Sequence, residues 1–170
     1  ILGLGEEKIR FTGFIFLGLM NVGGDPWVIE YNVRMGDPES QVVIPRINND
    51  FVELRVAAAK GELKDCQVEV TRDTAVTIVL AAGGYPGSYE KGRVIQGIEK
   101  IKKGIVFHAG TGNGQDGSII TTGGRVLAIT GMGKNLQEAL ETAYDEVKRI
   151  EWEGMQYRND IGQDLMKLEK

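Results

Sequence analysis

The sequence predicts an α+β fold in two parts, and three observations support this prediction. Apolar-rich runs at residues 11–20 and 27–35 flank "NVGGDP", whose Gly-Gly and Asp-Pro pairs favour a β-hairpin. Short runs rich in Val, Ile and Thr, separated by glycines, follow from residue 67 onward. A strongly amphipathic run near the end predicts a long helix that covers these strands. We therefore expect a first part at residues 1–66 and a small mixed-sheet domain at residues 67–170.

Composition restricts the class of protein. The 170 residues, 42% hydrophobic and 26% charged, are typical of a folded chain, and no apolar run approaches the ~18 residues of a membrane span. A net charge of -4 without a basic stripe argues against non-specific nucleic-acid binding. The single cysteine, Cys66, excludes an internal disulfide framework and favours a cytoplasmic location. The chain opens without Met or a signal-peptide layout, so we expect it to be part of a longer protein.

The stretch "WVIEYNVRMGDPESQ" contains the densest group of chemically interesting residues. Strand alternation sends its apolar side chains to one face, which we expect to join the core: Trp27, Ile29, Tyr31, Val33 and Met35. The other face carries Glu30, Asn32 and Arg34, and Asp37 and Glu39 follow in a turn. Glu30 and Asn32 could offer the oxygen ligands that Mg²⁺ prefers, with Arg34 as an anion clamp. The spacing alone favours a solvated strand face followed by an ordinary Asp-Pro turn.

Two helices have clear end signals. In "DFVELRVAAAKGEL", Asp50 is the expected N-cap and Gly61 the expected stop. In "NLQEALETAYDEVKRI", Asn135 is the expected N-cap, with Glu138 three positions later. The second helix also has an apolar stripe that predicts packing on the sheet: Leu136, Ala139, Leu140, Ala143, Val147 and Ile150.

Three further motifs each allow two interpretations. "GGYPGSYEKG" could bind an anion through backbone N–H groups and Lys91, or serve as a structural loop, and it lacks P-loop spacing. His108 in "VFHAGT" is either a hydrogen-bonded core residue or part of a substrate site. "GTGNGQDGS" lacks EF-hand spacing, so we expect a surface hairpin loop instead of a calcium site.

Several stretches together resemble one family in the same order. "EYNVRMGDPESQ" resembles the signature of glycinamide ribonucleotide synthetase, also called phosphoribosylamine–glycine ligase, an ATP-grasp enzyme of purine biosynthesis. "FTGFIFLGLM", "GGYPGSYEKG", "VFHAGT", "GGRVLAIT" and "WEGMQYRNDIG" are similar to the same family. The resemblance covers nearly the whole chain. It implies the carboxy-terminal part of an ATP-grasp module up to residue 66, followed by the family's carboxy-terminal domain.

The resemblance also implies roles for individual residues. Glu30 and Asn32 would hold Mg²⁺ or Mn²⁺ against ATP, with Arg34, Asp37 and Glu39 in the catalytic loop. Many ATP-grasp enzymes have a further acidic ligand on the preceding strand, where this chain offers only Asn21. The substrate-binding residues would be Tyr85, Lys91 and His108.

The implied reaction joins glycine to 5-phosphoribosylamine with ATP, through a glycyl phosphate, and needs upstream lobes of the same protein. The isolated fragment is expected to be inactive. The alternatives are a non-catalytic substrate-binding or interdomain module, and another purine-pathway ATP-grasp ligase such as the carboxylase type.

Overall fold

The computed structural model describes residues 2–167, which form mixed α/β structure. The helices are α1 (Leu2–Glu6), α2 (Ser40–Val43), α3 (Phe51–Lys60) and α4 (Leu136–Val147). The strands are β1 (Phe16–Val22), β2 (Asp25–Asn32), β3 (Thr74–Ala82), β4 (Ile105–His108), β5 (Thr111–Asn113), β6 (Ile119–Thr121), β7 (Arg125–Gly133) and β8 (Met155–Gln156). Among these residues, no helix combines the length and apolar character needed to cross a membrane.

The chain divides into two compact units. The first contains the residues up to Ser40 together with Ile47–Thr71. The second contains Gln41–Arg46 and the residues from Arg72 onward. The boundary between the two units therefore falls between residues 71 and 72. The short segment Gln41–Arg46 belongs to the second unit although it precedes this boundary. The assignment of residues 1–66 to an ATP-grasp module stays a prediction.

The predicted hairpin forms the sheet of the first unit. β1 and β2 pair antiparallel, and the turn between them contains Gly23 and Gly24 at φ 64° and 100°. Only glycine adopts such positive φ values without strain, so this pair fits a tight two-residue turn. The Asn21 Oδ1 atom accepts a hydrogen bond from the Gly24 N–H at 2.8 Å and closes the turn.

The prediction that one apolar face of β2 joins the core is wrong in two respects. The pairing register shifts between Gly18 and Leu19, so Val28 pairs with Leu19 whereas Glu30 pairs with Gly18. This β-bulge leaves Ile29 without a partner and interrupts the strict alternation of faces. The apolar residues also stay exposed, Trp27 at 63% and Tyr31 at 69%, because the described residues place no covering layer on the hairpin.

Helix α3 begins and ends as predicted. The Asp50 carboxylate accepts hydrogen bonds from the N–H groups of Val52 and Glu53 at 2.8 and 3.1 Å. Gly61 takes a left-handed conformation with φ 77° and ends the helix. Both signals are local, since each depends on residues within one helical turn of the helix end.

The second unit is built on a four-stranded antiparallel sheet in the order β4-β7-β3-β8. β3 and β7 are its central strands, and their side chains supply most of the core. The fully buried members with large side chains are Ile78, Leu80, Val126, Leu127 and Ile129. β-branched and leucine side chains at these positions suit a central strand that is covered by a helix.

Helix α4 packs on β3 and β7 through its predicted apolar stripe. The Asn135 side chain accepts a hydrogen bond from the Glu138 N–H at 2.9 Å, as predicted. Two glycines of β7 allow the close approach. An alanine Cβ at Gly131 would lie 2.5 Å from the carbonyl oxygen of Ala139, and one at Gly133 would lie 2.5 Å from its nitrogen. The backbones of helix and strand therefore touch where a side chain would separate them.

A small hairpin is formed by β5 and β6, and the predicted surface loop "GTGNGQDGS" contains its tip. The Asp116 carboxylate accepts hydrogen bonds from the Ser118 hydroxyl at 2.6 Å and the Ser118 N–H at 3.0 Å. These two bonds, the hydroxyl first, lower the pKa of Asp116 from its ordinary value. The acidic residue of this loop is therefore used within its own turn.

Glu146 of α4 is a buried carboxylate, 3% exposed. Its oxygens accept hydrogen bonds from the Lys102 and Lys103 N–H groups at 3.2 and 3.1 Å and from Arg149 Nε at 2.9 Å. It thereby ties the segment before β4 to the helix. The sequence pattern did not predict this role, because Lys102 and Lys103 are more than 40 residues away from Glu146.

We expect Glu146→Ala to lower the free energy of unfolding of the second unit by about 2 kcal/mol. The change leaves the N–H groups of Lys102 and Lys103 without their acceptor. Urea denaturation checks the result, with Glu141→Ala as the control. Glu141 is exposed on the same helix and contacts Gln137, so its removal should cost at most about 0.5 kcal/mol. Equal effects of the two changes would contradict the assigned role.

Candidate functional site

The site residues predicted from the sequence fall into two sets, one in each unit. Tyr85, Lys91 and His108 belong to the second unit, and Glu30, Asn32, Arg34, Asp37 and Glu39 belong to the first.

One end of the four-stranded sheet gathers the candidate residues of the second unit. The register pairs Leu80 and His108 with Leu127, and Ala82 with Met155. The carboxyl ends of β3 and β4 and the amino ends of β7 and β8 therefore lie at the same end of the sheet. The glycine-rich loop at 83–92 leaves the sheet at this end, directly after β3. His108 is the last residue of β4 there.

Backbone contacts define the start of the glycine-rich loop. The Tyr85 N–H donates to the Ala82 carbonyl at 3.1 Å, which forms a tight turn. Gly84 has φ 94°, a value that disfavours any other residue. An alanine Cβ at Gly83 would lie 2.7 Å from the Gly154 carbonyl oxygen, so the loop passes close against the segment before β8. Each glycine here serves a specific close contact or turn.

The side chain of Gln156 in β8 holds the same turn. Its Nε2 donates to the carbonyl of Ala82 at 3.2 Å and to the carbonyl of Tyr85 at 3.1 Å. This contact could not be predicted from the sequence, because Gln156 lies more than 70 residues from its partners.

Aromatic and cationic side chains follow one another along the loop. The Tyr85 ring packs on Gly124, where an alanine Cβ would meet the ring, and its centroid is 6.2 Å from that of Tyr89. Lys91 Nζ lies 6.0 Å from the Tyr89 centroid, at the outer limit of a cation–π contact. Tyr85 and Lys91 are both exposed. They are therefore connected through Tyr89 and available to a ligand.

Arg93 is a further charged residue that the sequence analysis did not select. Its guanidinium forms ion pairs with Glu90 and with Glu153, the latter at 2.6 Å. The hydrogen bond that Arg93 donates to the Glu90 carboxylate, followed by the charge of Glu153, raises the pKa of Arg93. The positive charge of Arg93 is thus paired with two carboxylates, whereas Lys91 Nζ lies over the neutral ring of Tyr89. Only the pairing with Glu90, three residues earlier, could have been read from spacing.

His108 is exposed, so the interpretation as a core histidine is wrong. Its Nδ1 atom lies 3.0 Å from Thr111 Oγ1, a contact that orients the ring. A ring held through one nitrogen leaves the other nitrogen for a ligand.

In the first unit, Glu30 and Asn32 lie on β2 beyond the bulge, two residues apart, and thus on one face. They pair with Gly18 and Phe16 of β1. An alanine Cβ at Gly18 would lie 2.8 Å from Glu30 Cγ. Gly18 therefore leaves the space that the Glu30 side chain occupies.

The predicted catalytic loop follows β2. The strand ends at Asn32, so Arg34 lies in a bend beyond it instead of on the strand, and Arg34 Nη1 donates to the Met35 carbonyl at 2.8 Å. Gly36 is buried, and the Glu39 carboxylate packs directly against it, in the place where a Cβ would project. The Ser40 N–H and hydroxyl both donate to the Gly36 carbonyl, at 3.0 and 2.5 Å. Glu39 is therefore folded back over the loop.

The donor set of the first unit fits a hydrated divalent ion. Within residues 2–167, no three His, Cys, Asp or Glu side chains are grouped closely enough to hold a metal. Glu30 and Asn32 together offer two oxygen donors on one face. Mg²⁺ is commonly bound by one or two protein groups, with water and phosphate oxygens as the other ligands.

Comparisons with known proteins agree with one another. The family model described as "Phosphoribosylglycinamide synthetase, C domain" matches residues 75–164. The chain is 46% identical over 166 residues to a phosphoribosylamine–glycine ligase, chloroplastic, of Arabidopsis thaliana, covering 94% of this chain and 31% of that one. A phosphoribosylamine–glycine ligase of Vibrio parahaemolyticus is 47% identical over 163 residues, covering 94% and 38%. The crystal structure of a phosphoribosylamine–glycine ligase from Thermotoga maritima superposes with a TM-score of 0.82 at 40% identity, covering 94% and 39%.

These matches first define the class of protein: the chain is a mixed α/β segment similar to part of longer ligases. The chain spans about a third of the length of the curated relatives it matches. More narrowly, the chain belongs to the phosphoribosylglycinamide synthetase family, as the resemblance of its motifs indicated.

Proposed function

We propose that this chain is the carboxy-terminal part of an ATP-dependent ligase that joins glycine to 5-phosphoribosylamine, giving glycinamide ribonucleotide, ADP and phosphate. One observation carries the proposal. A chain of this family presents an acid and an amide, Glu30 and Asn32, on one face of a strand, directly before a loop with Arg34, Asp37 and Glu39. The names of the relatives support the same substrates.

In this proposal, the first unit acts on the phosphates of ATP. Glu30 and Asn32 hold Mg²⁺ or Mn²⁺, which when bound offsets the negative charge of the β- and γ-phosphates. Arg34 stabilises the charge that develops as the γ-phosphate passes to the glycine carboxylate. The Glu39 carboxylate, packed against Gly36, maintains the loop that carries Asp37. No protein nucleophile is needed, because the acyl phosphate is itself the activated group.

The second unit binds the phosphoribosyl substrate in this proposal. Lys91 is exposed and suits a phosphate, and Tyr85 offers an aromatic face beside it through Tyr89. The outward nitrogen of His108 provides a further polar contact at the same end of the sheet. We also propose the cytoplasm as the location, and upstream ATP-grasp lobes of the same protein as the structural partner.

The experiment is a substrate-omission assay. The full-length protein that carries this chain is supplied with ATP, Mg²⁺, glycine and freshly made phosphoribosylamine, and ADP is measured. We expect ADP only when glycine and the amine are both present, because the acyl phosphate is consumed by the amine. ADP release that depends on a carboxylate donor other than glycine would support another purine-pathway ATP-grasp ligase.

The isolated 170-residue chain is the companion sample. We expect it to release no glycine-dependent ADP, since it spans about a third of its relatives. Activity of this chain alone would contradict the assignment of the nucleotide lobes to upstream residues. A folded full-length protein that is silent with every donor would instead favour a non-catalytic binding module.

A further inference from the structure

The glycine-rich loop at 83–92 joins the sheet at its start and places the candidate substrate residues on an exposed surface. Tyr85 and Lys91 are exposed, so burial does not hold their side chains. Loops of this kind sample several conformations unless specific contacts hold them. The contacts at the start of the loop therefore hold Tyr85, whereas the Gly92 N–H, which donates to the Thr121 carbonyl at 2.7 Å, holds the other end of the loop beside Lys91.

Gln156 makes two of these contacts, both hydrogen bonds donated by its side-chain amide group. Its Nε2 donates to the carbonyls of both Ala82 and Tyr85, the first and last residues of the turn that opens the loop. The same turn is closed by the Tyr85 N–H on the Ala82 carbonyl. β8, which carries Gln156, pairs with β3 at Ala81 and Ala82, so the donor stands on the sheet itself.

A continuous series of contacts leads from Gln156 to Lys91. The Tyr85 carbonyl is held by Gln156, and the Tyr85 ring is held between Gly124 and the Tyr89 ring. Lys91 in turn lies over Tyr89. A change in the Tyr85 carbonyl therefore alters the position of Tyr85 first and that of Lys91 through Tyr89.

We propose, on the basis of the function proposed above, that Gln156 is a positioning residue for the phosphoribosylamine site. It acts through the glycine-rich loop and not by touching the substrate. It holds the loop in the conformation in which Tyr85 and Lys91 receive the phosphoribosyl group.

The test is Gln156→Met in the full-length ligase. Methionine has a similar length but no N–H donor, and the change adds no charge that could repel a phosphate. We expect the KM for phosphoribosylamine to rise about tenfold, with kcat and the KM for ATP within twofold of wild type. Hydrogen exchange of the amides at 83–92 should become faster in the same variant.

The matched control is Gln163→Met. Gln163 Nε2 also donates to a backbone carbonyl, that of Asn159 at 3.3 Å, but outside the loop. This variant should keep the wild-type KM. If Gln156→Met does not fold, Gly124→Ala tests the same idea from the other side, since its Cβ would lie 2.7 Å from Tyr85 Cε2, and it should give the same selective rise in KM.

The possible outcomes distinguish the positioning role from the proposed function. A selective rise in the KM for the amine with faster loop exchange supports the positioning role. An unchanged KM for phosphoribosylamine in a folded variant overturns the positioning role, as does a fall in kcat without a change in this KM. In either case, synthesis of the ribonucleotide by the wild-type protein leaves the proposed function standing. If the wild-type protein shows no dependence on phosphoribosylamine, the proposed function fails, and the positioning role fails with it.

Discussion

Gly131→Ala is expected to destabilise the second unit by about 3 kcal/mol. The added methyl group would lie 2.5 Å from the Ala139 carbonyl oxygen and also against the nitrogen of Ala143. These atoms belong to the backbone of α4, so no rotamer change relieves the overlap. The helix must move away from β7, and the contacts of its buried face with the sheet loosen as a result.

Tryptophan fluorescence during urea denaturation measures this effect. The chain has two tryptophans, the exposed Trp27 and the buried Trp152. In a Trp27→Phe background, Trp152 reports the unfolding of the second unit alone. Gly5→Ala is the control, because an alanine Cβ there meets nothing within 4 Å, and we expect no loss of stability from it. A Gly131→Ala variant as stable as the control would show that α4 lies farther from β7 than described.

Glu30→Ala is expected to reduce turnover of the full-length ligase about 100-fold at a low Mg²⁺ concentration. Of the two proposed ligands, Glu30 supplies the only negative charge, so its loss removes most of the electrostatic attraction for the ion. Additional Mg²⁺ should recover part of the activity. The measurement is ADP release as a function of Mg²⁺ concentration, at saturating glycine and phosphoribosylamine.

Two variants control this experiment. Glu30→Gln keeps the size of the side chain and removes the charge, so its Mg²⁺ dependence should lie close to that of Glu30→Ala. Glu62→Ala removes an exposed acid just after α3 and should leave the curve unchanged. A Glu30→Ala curve that overlies the wild-type curve at every Mg²⁺ concentration would contradict the proposed metal site.

The features that the sequence predicted well are local. The hairpin turn depends on Gly23 and Gly24, and the start of α4 depends on Asn135 and Glu138, each within four residues. Short-range hydrogen bonds and backbone preferences are properties of neighbouring residue types, so a sequence shows them directly.

The features that the sequence did not show depend on distant partners. The roles of Gln156 and Glu146 are identified only when segments far apart in the chain come together. The bulge at Ile29 shifts the faces of β2 by one residue, and an alternating pattern cannot reveal such an insertion. The apolar face of β2 was expected in the core because apolar character predicts burial, but it does not say which segment supplies the cover.

The exposed hairpin of the first unit has a practical consequence for work with the separate chain. Each of its two strands has one side without a hydrogen-bonded neighbour among the described residues, and exposed side chains such as Leu19, Trp27 and Val28 surround these edges. Unpaired strand edges with apolar flanks favour edge-to-edge aggregation. Preparations of the separate chain should therefore become turbid with rising protein concentration. A lysine substituted for Val28 should delay the onset, because a charge on a strand edge opposes pairing between molecules.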